Sequence, residues 1–386
     1  MKHWMPLGLF YATIFTVMGI STPFMPAWFR AEGLSGAQIG LILSAPMIAR
    51  TVTGPLIALW ADSFRLRRTP IMILAAGSAL AHVAISLLQG FWFWFAAWFV
   101  ASSLIATLPP LTDVLGLRLA RRGGFAYGWP RGIGSVAFVL ANVGMGWLLT
   151  LYSHQVILYA ALGFSALCAV GAWILLPPEP VHDGPLLNSR DRLKGMGNLF
   201  KSPMFLWAIF SSGLIQAAHA FYYGFSTLIW QAQGIPASTI GALWGWGVIA
   251  EVGFMWFLEG VRRRLGPETM LIIGGVCAVL RWVAMGFSPP VPVLFALQAL
   301  HALTFAAVFM ASLPLIERHS PPESASAAQV VNSALSSGLL IGLATSVSGP
   351  LFDHIGARGY WAMAAMALTG LMVALKLRSL TAGLKA

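Results

Sequence analysis

Charge is scarce in this chain of 386 residues: only 9% are Asp, Glu, Lys or Arg, against about 25% in soluble domains. Acid is the scarcer sign, with 12 Asp and Glu against 23 Lys and Arg. So few charges among 58% hydrophobic residues exclude a soluble enzyme, a disordered chain and a fibrous repeat. Cysteine is nearly missing. Cys168 and Cys277 both lie inside apolar runs and read as small buried hydrophobes, not a disulfide. Period-two alternation is missing too, which excludes an outer-membrane barrel. There is no paired-His metal motif, nucleophile elbow or phosphate loop, so the chain reads as no enzyme, with no cofactor and no metal site. What remains is a polytopic helical membrane protein.

Apolar runs are abundant. Twelve can be marked, at roughly 5–29, 36–61, 70–88, 91–118, 127–150, 155–176, 203–231, 238–258, 268–287, 291–316, 324–350 and 358–378. The first is too long for a signal-peptide core and reads as an uncleaved helix. The fold class expected is therefore an all-α membrane protein of twelve transmembrane helices in two six-helix halves.

The net charge of +11 does not imply nucleic acid, because arginines crowd the cytoplasmic loops of membrane proteins. With the N-terminus inside, 18 of the 23 Lys and Arg fall on cytoplasmic segments and 2, Arg30 and Arg358, fall outside. Arg50, Arg131 and Arg281 lie within spans. Both termini are thus expected in the cytoplasm, and the aromatic residues are available for lipid interfaces.

The longest polar stretch, 177–202, separates a six-span half at 1–176 from a second at 203–386. The halves share a repeat. "GLSGAQIG" at 33–40 aligns with "GIPASTIG" at 234–241, offset by 201. The same offset sets Phe24 on Phe225 and Ala49–Arg50 on Ala250–Glu251. Duplicated six-span units are a transporter plan, with the solute site near the midplane.

Ionisable residues inside spans are the functional candidates, since each costs at least ~2.5–3.5 kcal/mol at the bilayer centre. They are Arg50, Asp113, Arg131, Glu251 and Arg281. Either they form structural salt bridges or they line a path for solute and proton. Asp113, near the inner end of span four, and Arg131, one turn into span five, reach similar depth and can pair. Three arginines against two acids leave one positive charge, which a carboxylate substrate would neutralise. His82, His219 and His301 also lie within spans. Lone intramembrane histidines are more often packing residues; His301 is the exception favoured. In "QAAHAFYYGF", Gln216, His219 and Tyr223 share a helical face beside Tyr222. Trp244 precedes Glu251 by two turns. An aromatic wall with few polar groups suits a ring-bearing ligand. Small residues along "GIGSVAFVLANVGMG" at 132–146 permit close helix approach. Pro23, Pro26, Pro46, Pro109 and Pro110 are candidates for kinks.

Several stretches carry a resemblance: "PLTDVL" at 110–115, "YGWPRGIGSVAFV" at 127–139, "QAAHAFYYGF" at 216–225, "GVIAEV" at 247–252, "RWVAMG" at 281–286 and "LQALHALTF" at 297–305. Together they cover both halves. The whole chain resembles the major facilitator superfamily, and within it the 3-phenylpropionate permease group, a proton-symporter branch related to lactose permease. "ALWADSFRLRR" at 58–68 looks like a degraded form of the superfamily's inner loop between spans two and three. Asp62, Arg65, Arg67 and Arg68 keep its charges, and the resemblance implies a role in conformational change. "EGVRRRLG" at 259–266 is its second-half counterpart.

Lactose permease has an acid in span four, an arginine in five, an acid in eight, an arginine in nine and a histidine in ten. These look like Asp113, Arg131, Glu251, Arg281 and His301. Three positions past its histidine that relative has a glutamate, where this chain has Thr304. The expected proton carrier is therefore Glu251, with Asp113 second and His301 assisting.

The resemblance implies a bacterial inner-membrane protein, acting as a monomer in the lipid bilayer. It would import a small aromatic monocarboxylate with a proton by alternating access. Arg50, Arg131 and Arg281 would partner the carboxylate or the acids. Gln216 and His219 would hydrogen-bond, and Tyr222, Tyr223 and Trp244 would pack the ring. A proton-coupled sugar or nucleoside symporter and an exporter of organic compounds remain as alternatives.

Overall fold

The computed structural model describes residues 4–181, 199–321 and 325–383. Most of the expected linker, at 182–198, lies outside the described residues, as do Lys2 and Lys385. Among the described residues eleven helical stretches are long and apolar enough to cross a membrane. They are Met5–Ala31, Gly36–Asp62, Arg68–Leu87, Phe91–Gly123, Gly128–Leu151, Gln155–Leu175, Pro203–Ala232, Ala237–Phe257, Pro267–Met285, Val291–Arg318 and Ala327–Thr381. The last runs 55 residues. At 1.5 Å per residue that is roughly 80 Å, far beyond a ~30 Å hydrocarbon core. It breaks at Gly356–Arg358, where Gly356 has φ of 55°, and so supplies spans eleven and twelve. The prolines at 23, 26, 46, 109 and 110 all sit inside continuous helices.

The chain resolves into two compact units. The first holds Met1–Pro185 with Trp230–Gly245, the second Leu186–Ile229 with Trp246–Ala386. In the first, span one packs against spans five and six, and span three against four and six. Leu7, Phe10, Tyr11, Ile14 and Val17 of span one fill the core with Ile71, Leu74, Leu108 and Leu115. Span one is thus apolar on all sides because it is enclosed.

Both copies of the sequence repeat lie in the first unit and fold alike. Gly33 and Gly234 adopt φ of 89° and 76°. At each, the next amide bonds back to a carbonyl five residues earlier: Leu34 to Phe29 and Ile235 to Trp230. This is the glycine-closed helix end that a positive φ makes possible. Ser35 and Gln38 then form a reciprocal cap that starts span two. The small-residue face of span five also has a partner. A Cβ on Gly146 would stand 2.5 Å from the Ala237 oxygen, and one on Gly241 2.3 Å from that of Asn142. Backbones this close exclude any side chain.

The loop after span two is fastened. Leu66 and Pro180 form an antiparallel bridge. Arg67 N–H donates to the Glu179 carbonyl at 2.9 Å, and Val181 N–H to that of Arg65 at 3.1 Å. Arg122 pairs with the Glu179 carboxylate at 2.6 Å, and Arg68 lies 4.9 Å over the Trp173 ring. Asp62 is the last residue of span two.

In the second unit, span nine packs on span twelve, as does span seven. Span seven breaks between Pro203–Ala217 and Ala220–Ala232, at Ala218 and His219. Span ten passes through a π-helical segment, Ala302–Ala307, and span eleven through another, Ala334–Leu340. Such wide turns reorient side chains within a helix. After span eight, the short helix Glu259–Leu265 returns Arg262 to donate to the Phe254 and Met255 carbonyls at 3.0 and 2.7 Å. A cation on the last carbonyls of a helix also suits its dipole.

Candidate functional site

Each unit carries its own polar cluster. In the second unit the centre is Arg281, which is 0% exposed. A guanidinium sealed in this way needs hydrogen-bond partners, and among the described residues both terminal nitrogens have them while Nε does not. Its Nη1 donates to His301 Nδ1 at 3.1 Å and Thr304 Oγ1 at 3.0 Å, and its Nη2 to Gln298 Oε1 at 2.6 Å. Its carbon stands 4.5 Å from the Trp282 ring centre and 5.0 Å from that of Tyr222, adding cation–π stabilisation.

The donors fix the remaining protons. Arginine can only donate, so His301 Nδ1 is an acceptor and a neutral ring carries its proton on Nε2. That nitrogen faces Glu251 Oε2 at 3.7 Å. Gln298, with its oxygen spent on Arg281, donates its amide to the Tyr222 hydroxyl at 2.8 Å. His219 Nδ1 meets the carbonyls of Ile215 and Gln216 at 3.2 and 3.1 Å, so it is the donor. His219 Nε2 then accepts from the Thr304 hydroxyl at 3.1 Å. Thr304 therefore accepts from a cation and donates to an imidazole. His219 sits at the break in span seven and is fully buried. Tyr223 stacks on His219 at 5.8 Å between ring centres, and Gln216 reaches the Phe305 carbonyl at 3.4 Å. Glu251 keeps 19% of its side chain exposed. The cluster is a sealed cation joined through one imidazole to a partly accessible acid.

In the first unit Asp113 accepts from the hydroxyls of Tyr11 and Tyr127 at 2.6 and 2.5 Å, both on Oδ1. Arg131 Nε stands 3.9 Å from that same oxygen. The Arg131 carbon lies 4.3 Å over the Phe15 ring and 5.8 Å over that of Tyr11. Both charged side chains keep over a third of their surface exposed, at 36% and 37%. Arg50 is exposed on span two.

The structure thus brings together Gln216, His219, Tyr222, Tyr223, Glu251, Arg281 and His301 in one cluster, and Asp113 with Arg131 in another. Trp244 is buried in the first unit, whereas Glu251 of the same helix lies in the second. His82 is a packing residue, bonded to the Ser78 carbonyl at 2.8 Å. Cys168 and Cys277 are free. Among the described residues no group of three or more His, Cys, Asp or Glu gathers as a metal site. Tyr11, Tyr127, Gln298 and Trp282 were not singled out as site residues from sequence. Scarcity was an available signal: the chain has 7 tyrosines, and Tyr11, Tyr127, Tyr222 and Tyr223 fall in these clusters. Gln298, His301 and Thr304 also recur every third residue in an otherwise apolar span.

Eleven long apolar helical stretches among the described residues, with charged clusters set within them, are the build of a polytopic membrane protein. The chain belongs to the MFS_1 like family, whose model matches residues 4–363, and is accordingly a multi-pass secondary transporter of the major facilitator superfamily, not an enzyme. It is 32% identical over 378 residues to a probable 3-phenylpropionic acid transporter of Escherichia coli (strain K12), covering 96% of each chain. It is 28% identical to a maltose permease of Geobacillus stearothermophilus, over 97% of this chain and 95% of that one. In structure it is similar to the nucleoside transporter NupG, with a TM-score of 0.84 at 17% identity, covering 98% of this chain and 99% of that one. The last likeness bears on the fold alone.

Proposed function

We propose that this transporter imports a small aromatic monocarboxylate, of the 3-phenylpropionate kind, together with a proton. The reading places it in a bacterial inner membrane with both termini cytoplasmic, working as a monomer. Its halves, 1–176 and 203–386, would rock about the 177–202 linker to expose the site to each side in turn.

The observation that carries the reading is the Arg281–His301–Glu251 line. Arg281 is fixed by three hydrogen bonds and two aromatic faces, so it serves as a permanent buried cation. Glu251 is the group placed to change charge. While ionised, it balances Arg281 through the imidazole. Once protonated, it leaves the buried cation without its counter-ion, and a bound anion restores neutrality. Proton and anion are then favoured together, which is the thermodynamic content of symport. Arg131 and Arg50 are the accessible cations that meet the carboxylate. Tyr222, Tyr223 and Trp244 supply aromatic surface, and Asp113 is a second acid.

The test is uptake of labelled 3-phenylpropionate, maltose and a nucleoside into vesicles, with and without a proton gradient. Movement of only the neutral solutes would replace the substrate class by the sugar or nucleoside reading, which the likeness to the maltose permease favours. Glu251→Gln is expected to keep exchange of substrate across the membrane and lose gradient-driven accumulation. Normal accumulation by that variant would remove Glu251 from coupling.

A further inference from the structure

The Asp113–Arg131 pair is not built as ion pairs usually are. Guanidinium and carboxylate ordinarily meet fork to fork through two parallel bonds of about 2.7–2.9 Å. Here a single nitrogen, Nε, stands 3.9 Å from a single oxygen, which is beyond hydrogen-bond range. The carboxylate has been taken by other donors. Tyr11, from span one, and Tyr127, at the head of span five, both donate to Oδ1 at 2.6 and 2.5 Å. Those are the short lengths of hydroxyl-to-carboxylate bonds. The two hydroxyls are 3.1 Å apart, so they close on the oxygen as a clamp. The helix beneath makes room for them. A Cβ on Gly116 would stand 2.9 Å from the Tyr127 ring and 3.4 Å from the Tyr11 hydroxyl.

The consequence falls on Arg131. Its guanidinium carbon stands 4.3 Å over the Phe15 ring centre. Among the described residues, its two terminal amines have no hydrogen-bond or ion-pair partner. A planar fork on an aromatic floor, over a third exposed, is presented for a bidentate anion. Without the tyrosines, Asp113 is the nearest such anion.

We propose that Tyr11 and Tyr127 are specificity-determining positioning residues: they hold Asp113 off Arg131 and so reserve the arginine fork for the carboxylate of the transported anion. The proposal rests on the aromatic-carboxylate reading for its ligand, but the clamp itself can be tested without ligand.

Full-length protein in detergent is treated with phenylglyoxal, which needs both terminal amines of a guanidinium, and Arg131 labelling is followed by peptide mass spectrometry. Wild type is expected to label readily. Y11F/Y127F is expected to label at least about tenfold more slowly, as Asp113 swings onto the fork by roughly one charge-assisted bond. Adding Asp113→Asn to that double variant is expected to restore labelling, because an amide does not compete for the cation. Should the double variant fail to fold, Tyr127→Phe alone is expected to give a partial slowing with the same rescue. Equal labelling in wild type and the tyrosine variants, or slowing that Asp113→Asn does not reverse, overturns the clamp.

Calorimetric binding of 3-phenylpropionate and its neutral amide completes the test. The double variant is expected to lose affinity for the acid about tenfold and for the amide hardly at all, with the acid rescued by Asp113→Asn. Equal loss of both ligands makes the tyrosines structural and overturns the proposal. If wild type binds neither compound while the labelling pattern holds, the clamp stands and the aromatic-carboxylate reading falls.

Discussion

Replacing Thr304 by valine removes one oxygen and almost no volume, and the structure puts that oxygen between two buried partners. It accepts from Arg281 at 3.0 Å and donates to His219 at 3.1 Å. All three side chains are sealed from solvent. Valine strands His219 Nε2, at a cost of about 1–3 kcal/mol, and takes one bond from the cation, worth about 1.5–3 kcal/mol. Arg281 Nη1 keeps His301, so the two losses do not simply add. Together they are expected to lower unfolding stability by roughly 3 kcal/mol. Thr304→Ser keeps both bonds and loses one methyl, about 1 kcal/mol. Titration of the purified protein with SDS, followed by tryptophan fluorescence, gives both values. Gradient-driven uptake should fall further in the valine variant than in the serine variant. Equal stability in the two would show that the hydroxyl is not holding the cluster, and the proton ordering deduced from it would fail.

Other expectations concern the close helix contact and the pH response. Gly241→Ala sets a methyl 2.3 Å from the Asn142 oxygen. It should cost about 1–3 kcal/mol by overpacking, whereas Gly163→Ala, with nothing within 4 Å, should be neutral or stabilising in the same SDS titration. His319, just past span ten, is pushed below the usual histidine pKa by burial first and by Arg318 second, against the pull of Glu268. The unfolded chain then binds more protons, so this contribution to stability is present above about pH 6.5 and is lost as pH falls below it. His319→Gln should flatten the acid limb of a stability-against-pH curve.

The spans were legible because a bilayer demands long apolar runs, and both repeat junctions because glycine answers a positive φ at Gly33 and Gly234. The intramembrane charges announced themselves by their cost. Their partners did not. Tyr11 and Asp113 are 102 residues apart, and Gln298 and Tyr222 76 apart, so no helical spacing links them. A neutral phenol or amide in a span carries little penalty to draw notice. The break at Ala218 and His219 and the π-helical turns were also hidden, because no proline at any of them marks an interruption. "QAAHAFYYGF" read as one helical face, yet the helix breaks at His219, the residue that bonds Thr304.

The ordering of hydrogens around Arg281 makes the inner cluster a dead end for charge. His301 has its free lone pair occupied by a guanidinium that never gives up a proton. Thr304 can pass a hydrogen bond along but cannot store a positive charge. On the proposed coupling, a proton on Glu251 is not handed on through His301 to Arg281, and it would exchange where that carboxylate is exposed. Timing in such a carrier would then come from which side of the membrane that exposed edge faces, not from a wire running through Arg281.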